Sequence, residues 1–141
     1  MRVLVLLLML GFGGQAFASC YGIDNNDQRI LCEARNSGGS CGGINDNDLR
    51  RSCEAETSGG SCYGINDNDR RILCEAKKGG GSCYGINDND LRRSCEAQTS
   101  NGSCYGVNDN DQRVMCEARK GGSCYGINSN DLRVQCEAMK H

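Results

Sequence analysis

The chain has 141 residues with 12 cysteines, 20 glycines, no proline or tryptophan, and a formal net charge of −2. That mild acidity gives no electrostatic footprint for nucleic acid and no polybasic patch for a membrane. The single histidine is His141, and neither Cys-x-x-Cys nor Cys-x-Cys occurs, so zinc-finger, metallothionein and covalent haem spacings are excluded.

Residues 1–18 read as a signal peptide. Arg2 supplies a positive start, Val3 to Leu10 form an apolar run, and Ala16-Phe17-Ala18 is a small-x-small cleavage site. The run is too short for a bilayer core of about 30 Å, and no second apolar run follows, so no transmembrane span is expected. A rival reading takes Phe17-Ala18-Ser19-Cys20 as a degenerate lipoprotein signal with a lipid anchor at Cys20. That would orphan one cysteine of an even set, which favours simple cleavage and a secreted or periplasmic protein. Cleavage before Ser19 leaves fifteen basic against eighteen acidic residues.

From Ser19 onward one unit of about 21 residues repeats six times, over 19–39, 40–60, 61–81, 82–102, 103–122 and 123–141. In an exported chain an even cysteine number implies a disulfide framework. Two pairings compete. Pairing within units joins Cys20–Cys32, Cys41–Cys53, Cys62–Cys74, Cys83–Cys95, Cys104–Cys116 and Cys124–Cys136. Pairing across the glycine-rich tails joins Cys32–Cys41 and so on, stranding Cys20 and Cys136. The spacing inside a unit never varies, whereas the tail before Cys124 is one residue shorter, which favours the first.

The third unit shows the grammar of all. Ser61-Cys62-Tyr63-Gly64-Ile65 fits one helical turn that puts Cys62 and Ile65 on one face, with an extended strand as the alternative. Asn66-Asp67-Asn68-Asp69 is a turn cluster with Asp69 as the expected N-cap, Arg70 to Lys78 is helical, and Gly79-Gly80-Gly81 ends the helix. The expected fold is a small, disulfide-rich, all-α tandem repeat, in which six short helical hairpins stack as an α-solenoid or rod. One unit buries too little apolar surface to fold alone.

A period of 42 residues overlies the shorter one. Units one, three and five carry Ile30-Leu31, Ile72-Leu73 and Val114-Met115 before the second cysteine. Units two, four and six carry Leu49, Leu91 and Leu132 after the Asn-Asp pair, and units two and four place Arg51-Ser52 and Arg93-Ser94 in the aliphatic slot. Odd units end in Arg35, Lys77-Lys78 and Arg119-Lys120, while Glu56-Thr57 and Gln98-Thr99 end the intervening ones.

Candidate chemistry is sparse. Asp27, Asp48, Asp69, Asp90, Asp111 and Asp131 are the candidate metal ligands, and calcium is the candidate ion because it takes oxygen ligands. They lack EF-hand spacing, and helix capping explains them without a metal. Arg71 and Glu75, with equivalents from Arg29–Glu33 to Arg133–Glu137, lie four apart, though a contact from arginine to carbonyls or Asp of the adjoining unit is the expected use. Tyr21, Tyr63, Tyr84, Tyr105 and Tyr125 form the candidate binding surface, with Gly42 breaking the series. Their plainer reading packs each ring over its own disulfide.

No nucleophile and base are placed together and the cysteines are expected to be oxidised, so the chain is not expected to be an enzyme. The function expected is a non-catalytic scaffold that binds a protein partner or assembles with itself. The alternatives are a calcium or divalent-metal module and a secreted inhibitor or antimicrobial peptide precursor.

Overall fold

The computed structural model describes residues 19–140, and all regular structure among them is helical. The expected signal segment 1–18 and His141 lie outside the described residues. Six helices follow in chain order: α1 (Asn26–Ser37), α2 (Asn47–Thr57), α3 (Asn68–Lys77), α4 (Asn89–Thr99), α5 (Asn110–Arg119) and α6 (Asn130–Met139). Before α2 to α5 stands a single 3-10 turn, Cys41–Gly43, Cys62–Gly64, Cys83–Gly85 and Cys104–Gly106. Ser61 caps its turn by accepting from the Tyr63 N–H, and Cys62 and Ile65 are both buried. Units two to five are therefore short helical hairpins, units one and six have a plain turn in place of the 3-10 element, and six bridges lie within units, with Cα atoms 5.8–5.9 Å apart.

The helices start earlier than the Asn-Asp pair suggests. Asp67, not Asp69, is the N-cap of α3: its backbone is extended and its carboxylate accepts the Arg70 N–H at 2.8 Å. Asn25, Asp46, Asp88, Asp109 and Ser129 do the same for the other helices. A run of Asn-Asp-Asn-Asp offers several oxygens that could cap, and using the earlier one frees Asp69. Asp69 then reaches the next unit, where its two oxygens accept the N–H groups of Asn87 and Asp88, both at 2.9 Å. Asp27, Asp48, Asp90 and Asp111 repeat this clamp on the units that follow them. Each clamp thus holds the very residue that caps the next helix.

Asp131 turns the stack into a ring. It belongs to the last unit, yet its carboxylate accepts the N–H groups of Asp24 at 2.9 Å and Asn25 at 3.1 Å in the first. Asn130 donates to the Gly22 carbonyl at 2.9 Å, and Gln135 donates to Gln28 at 3.3 Å. Val134 and Ala138 of α6 pack on Cys20, Ile23 and Cys32, so α6 lies against α1. The expected disulfide-rich stack of helical units is present, and instead of ending as a straight rod it closes on itself. A uniform step of about 60° between units, set by the same clamp each time, returns the sixth unit to the first.

Apolar cores lie between units, not inside them. Leu31 and Ala34 of unit one pack with Cys41, Ile44 and Cys53 of unit two, and Ala55 of unit two packs with Cys62, Ile65 and Cys74 of unit three. Among the described residues six such clusters occur, one at each junction including the closing one. After Tyr63, Tyr84 and Tyr105 the approach of the preceding unit is close enough to favour glycine. A Cβ at Gly85 would stand 2.7 Å from Ile72 Cδ1 of the preceding unit.

Candidate functional site

The five tyrosines are the exposed large hydrophobic side chains among the described residues, 90–93% open to solvent. The plainer expectation, a ring packed over its own disulfide, is therefore corrected. The bridge is covered from the other side, by alanine and the aliphatics of the preceding helix, which leaves the ring nothing to lie on. The backbone beneath each tyrosine is nonetheless pinned. The preceding serine hydroxyl accepts the tyrosine N–H at 3.0–3.2 Å in every unit that carries one. Five aromatic rings thus stand at equivalent points around a closed frame, with a gap at Gly42.

Grooves run beside them. One of about 750 Å³ is bounded by Tyr125, Arg133, Glu137 and Lys140. Its counterpart of about 430 Å³, one unit earlier, is bounded by Tyr105, Glu117 and Lys120. Each groove offers an aromatic wall, a carboxylate and an ammonium, a combination suited to a peptide or protein surface.

The six aspartates singled out as metal candidates do not converge on one another. Each spans a separate junction, with both oxygens taken by backbone N–H groups. Those hydrogen bonds favour the ionised form and hold Asp27, Asp48, Asp69, Asp90 and Asp111 below the usual carboxylate range. Among the described residues no group of three or more His, Cys, Asp or Glu side chains gathers in metal-binding geometry.

The repeated arginines also differ from expectation. Arg71 donates to Asn68 of its own unit at 2.8 Å, and the same arginine-to-asparagine bond occurs in the other five units at 2.7–3.1 Å. Of the spaced pairs, Arg29–Glu33 alone among the described residues comes within ion-pair range, at 3.9 Å. The asparagine sits three residues back on the same face, nearer than any partner in the adjoining unit. Its amide can then turn to the next unit, as Asn110 does in donating to the Gly126 carbonyl at 2.9 Å.

A further set of side chains went unrecognised in the sequence. Arg35, Glu56, Lys77, Gln98, Arg119 and Met139 occupy one repeat position, each following a buried alanine in the last helical turn. Glu56 pairs with Arg35 at 2.6 Å on one side and with Lys77 at 3.2 Å on the other. Burial works to raise the Glu56 carboxyl, but the two cations outweigh it and hold the group ionised. Lys77 is pushed down by burial first, with Arg35 and Arg119 adding to the effect against the pull of Glu56. The basic endings of units one, three and five were the visible signal; what it lacked was the closure that points them at a common axis.

No protein-family model, no curated protein and no solved structure matches the chain.

Proposed function

We propose that the chain is a non-catalytic, exported scaffold whose tyrosine rim binds a protein partner or a second copy of itself. One observation carries this reading: five aromatic rings held nearly fully in solvent on pinned backbone, at equivalent points of a closed frame. A monomer gains nothing from exposing them, whereas rigid tyrosines supply contact area at low entropic cost. Six intramolecular bridges fit an oxidising compartment. The non-catalytic reading rests on thiols tied up in those bridges and on acidic side chains that repeat in matching surroundings.

The rival readings draw less support. A calcium ion at the clamps would have to displace two backbone N–H donors from each carboxylate. Separate peptides released from a precursor would each lose half of two shared cores.

The test uses the mature protein with the tyrosines replaced by serine, first Tyr63 and Tyr105, then all five. Sedimentation across a concentration series reads copy–copy association, and binding of labelled protein to the surface of the cells that export it reads a partner. Association should weaken in steps as rings are removed, because a repeated patch binds by multivalency. Full association after loss of all five would end the proposal.

A further inference from the structure

The axial side chains carry more positive charge than the ring needs. Arg35, Lys77 and Arg119 come from units one, three and five, which are not neighbours, yet Lys77 feels the charge of both arginines and Arg119 feels that of Arg35. Only convergence on the ring axis brings them within that range. Between them the even units supply one carboxylate, Glu56, followed by uncharged Gln98 and Met139. Glu56 is already shared by Arg35 and Lys77. Among the described residues no carboxylate lies within 4.0 Å of Arg119.

Beside Arg119 opens a cavity of about 950 Å³, walled by α4, α5 and α6. Its lining includes Gln98, Arg119, Lys120, Met139 and Lys140 and contains no Asp or Glu. Lys120 and Lys140 each donate one hydrogen bond, to the Gly102 and Gly122 carbonyls, which leaves their charge in place and further N–H groups free. A plain structural use for these cations would be to answer the carbonyls at the helix ends. In α5 those carbonyls are already served, since Gly122 N–H donates to Glu117 and Gly121 N–H to Ala118. The chain as a whole is acidic, so this basic pocket is local.

We propose that the axial cavity binds a tetrahedral oxyanion, phosphate or sulfate, free or at the end of a larger ligand, with Arg119 as its anchor. The guanidinium offers two parallel N–H donors matched to such a group, and Lys120 and Lys140 ring the same space, while the Gln98 amide is held by Ser94. Desolvation and then the nearby Arg35 depress the Arg119 guanidinium against the pull of Glu56, although the side chain remains open to solvent and so to an incoming anion. This site adjoins the tyrosine grooves through Lys120 and Lys140, which line both, but its anchor Arg119 lines neither groove.

Calorimetric titration of the mature protein tests the proposal, with inorganic phosphate, sulfate and a terminally sulfated monosaccharide as probes against chloride at equal ionic strength. Saturable binding of at least one probe is expected, and which probes bind separates a free ion from a tethered group. Arg119→Gln installs the residue that unit four carries naturally at this position, so the ring should form, and affinity should fall about tenfold or more. Arg113→Gln removes the same charge from α5 outside the cavity and should leave binding unchanged. Glu56→Gln releases two cations and should tighten binding severalfold, a reading that holds even if Arg119→Gln fails to fold. No saturable binding by any probe, equal losses in the two arginine variants, or unchanged or weaker binding in Glu56→Gln would each overturn the proposal.

Discussion

The junction from unit three to unit four and the junction from unit two to unit three share a clamp but not a core. In the first, Ile72, Leu73 and Ala76 of α3 close with Leu91 over Cys83, Ile86 and Cys95. In the second the core is Ala55, Cys62, Ile65 and Cys74, and Arg51 takes the aliphatic slot. Its guanidinium lies over Gly64 where Ile72 lies over Gly85. The same contrast separates the Val114 and Met115 junction from that of Arg93. Only the closing junction mixes the two, with Val134 on Gly22 and the Gln135–Gln28 hydrogen bond beside it. The ring therefore behaves as three firm pairs of units joined at three leaner seams. The repeated clamps set its geometry, and the odd-to-even cores supply more of its stability. Local opening should begin at the seams, where the least apolar surface is held.

Excising one whole pair, residues 61–102, should have the largest effect. Four units with an unchanged step cannot meet end to end, so the closing junction is lost with the pair. The melting temperature of the disulfide-intact protein should fall further than for any single substitution below. An unchanged melting temperature would mean that closure contributes nothing.

Matched alanines compare the two kinds of core. Leu31 and Ser52 hold the same repeat position, the first buried at a firm junction. Leu31→Ala should cost about 2–5 kcal/mol, and Ser52→Ala should stay within about 0.5 kcal/mol. Denaturant titration with the bridges intact measures both. Equal losses would erase the distinction.

Glycine-to-alanine changes at Gly85 and Gly106 probe the same contrast more gently. The new methyl would meet Ile72 Cδ1 at 2.7 Å in one case and Arg93 Nε at 2.9 Å in the other. The arginine can swing into solvent and the isoleucine cannot leave its core. Gly85→Ala should therefore lose about 1–3 kcal/mol, with Gly106→Ala well below it.

Acid should act on both kinds of junction, and more visibly at the seams. The clamping aspartates have folded pKa values below their unfolded ones. Their contribution is thus fully present above the unfolded value of about 3.9 and is lost as pH falls through the folded values. Melting temperature should be flat from pH 7 to about 5 and decline below about 4. Amide exchange at Asn66 and Asp67, held by Asp48 at a seam, should accelerate before that at Asn87 and Asp88, held by Asp69.

Much of the unit was legible in the sequence. An unvarying cysteine spacing carried the bridges, and turn residues before good helix formers carried the helices. What a linear reading could not assign was which oxygen serves which N–H. Asp67 and Asp69 are chemically the same group, and only the neighbouring unit decides that one caps while the other clamps. Closure left a trace that went unused: the last unit keeps Asn130 and Asp131, and the first keeps Gly22, although an open stack would give none of them a partner. The tyrosines and the axial cations depend on the same missing knowledge, since what faces outward or toward the axis is fixed by the curvature of the whole. Curvature comes from the angle between units, which composition does not encode.

Ring closure is the claim on which the rest depends, and the contact between Ile23 and Ala138 tests it most directly. Both are buried in the cluster that joins the first unit to the last. Methyl-labelled NMR of oxidised protein spanning residues 19–141 should give a clear cross-relaxation peak between the Ile23 and Ala138 methyl groups, as strong as the one between Ile86 and Ala76 inside the chain. A spectrum with the internal peak and no terminal one, on a protein with all six bridges formed, would show an open stack and contradict the ring.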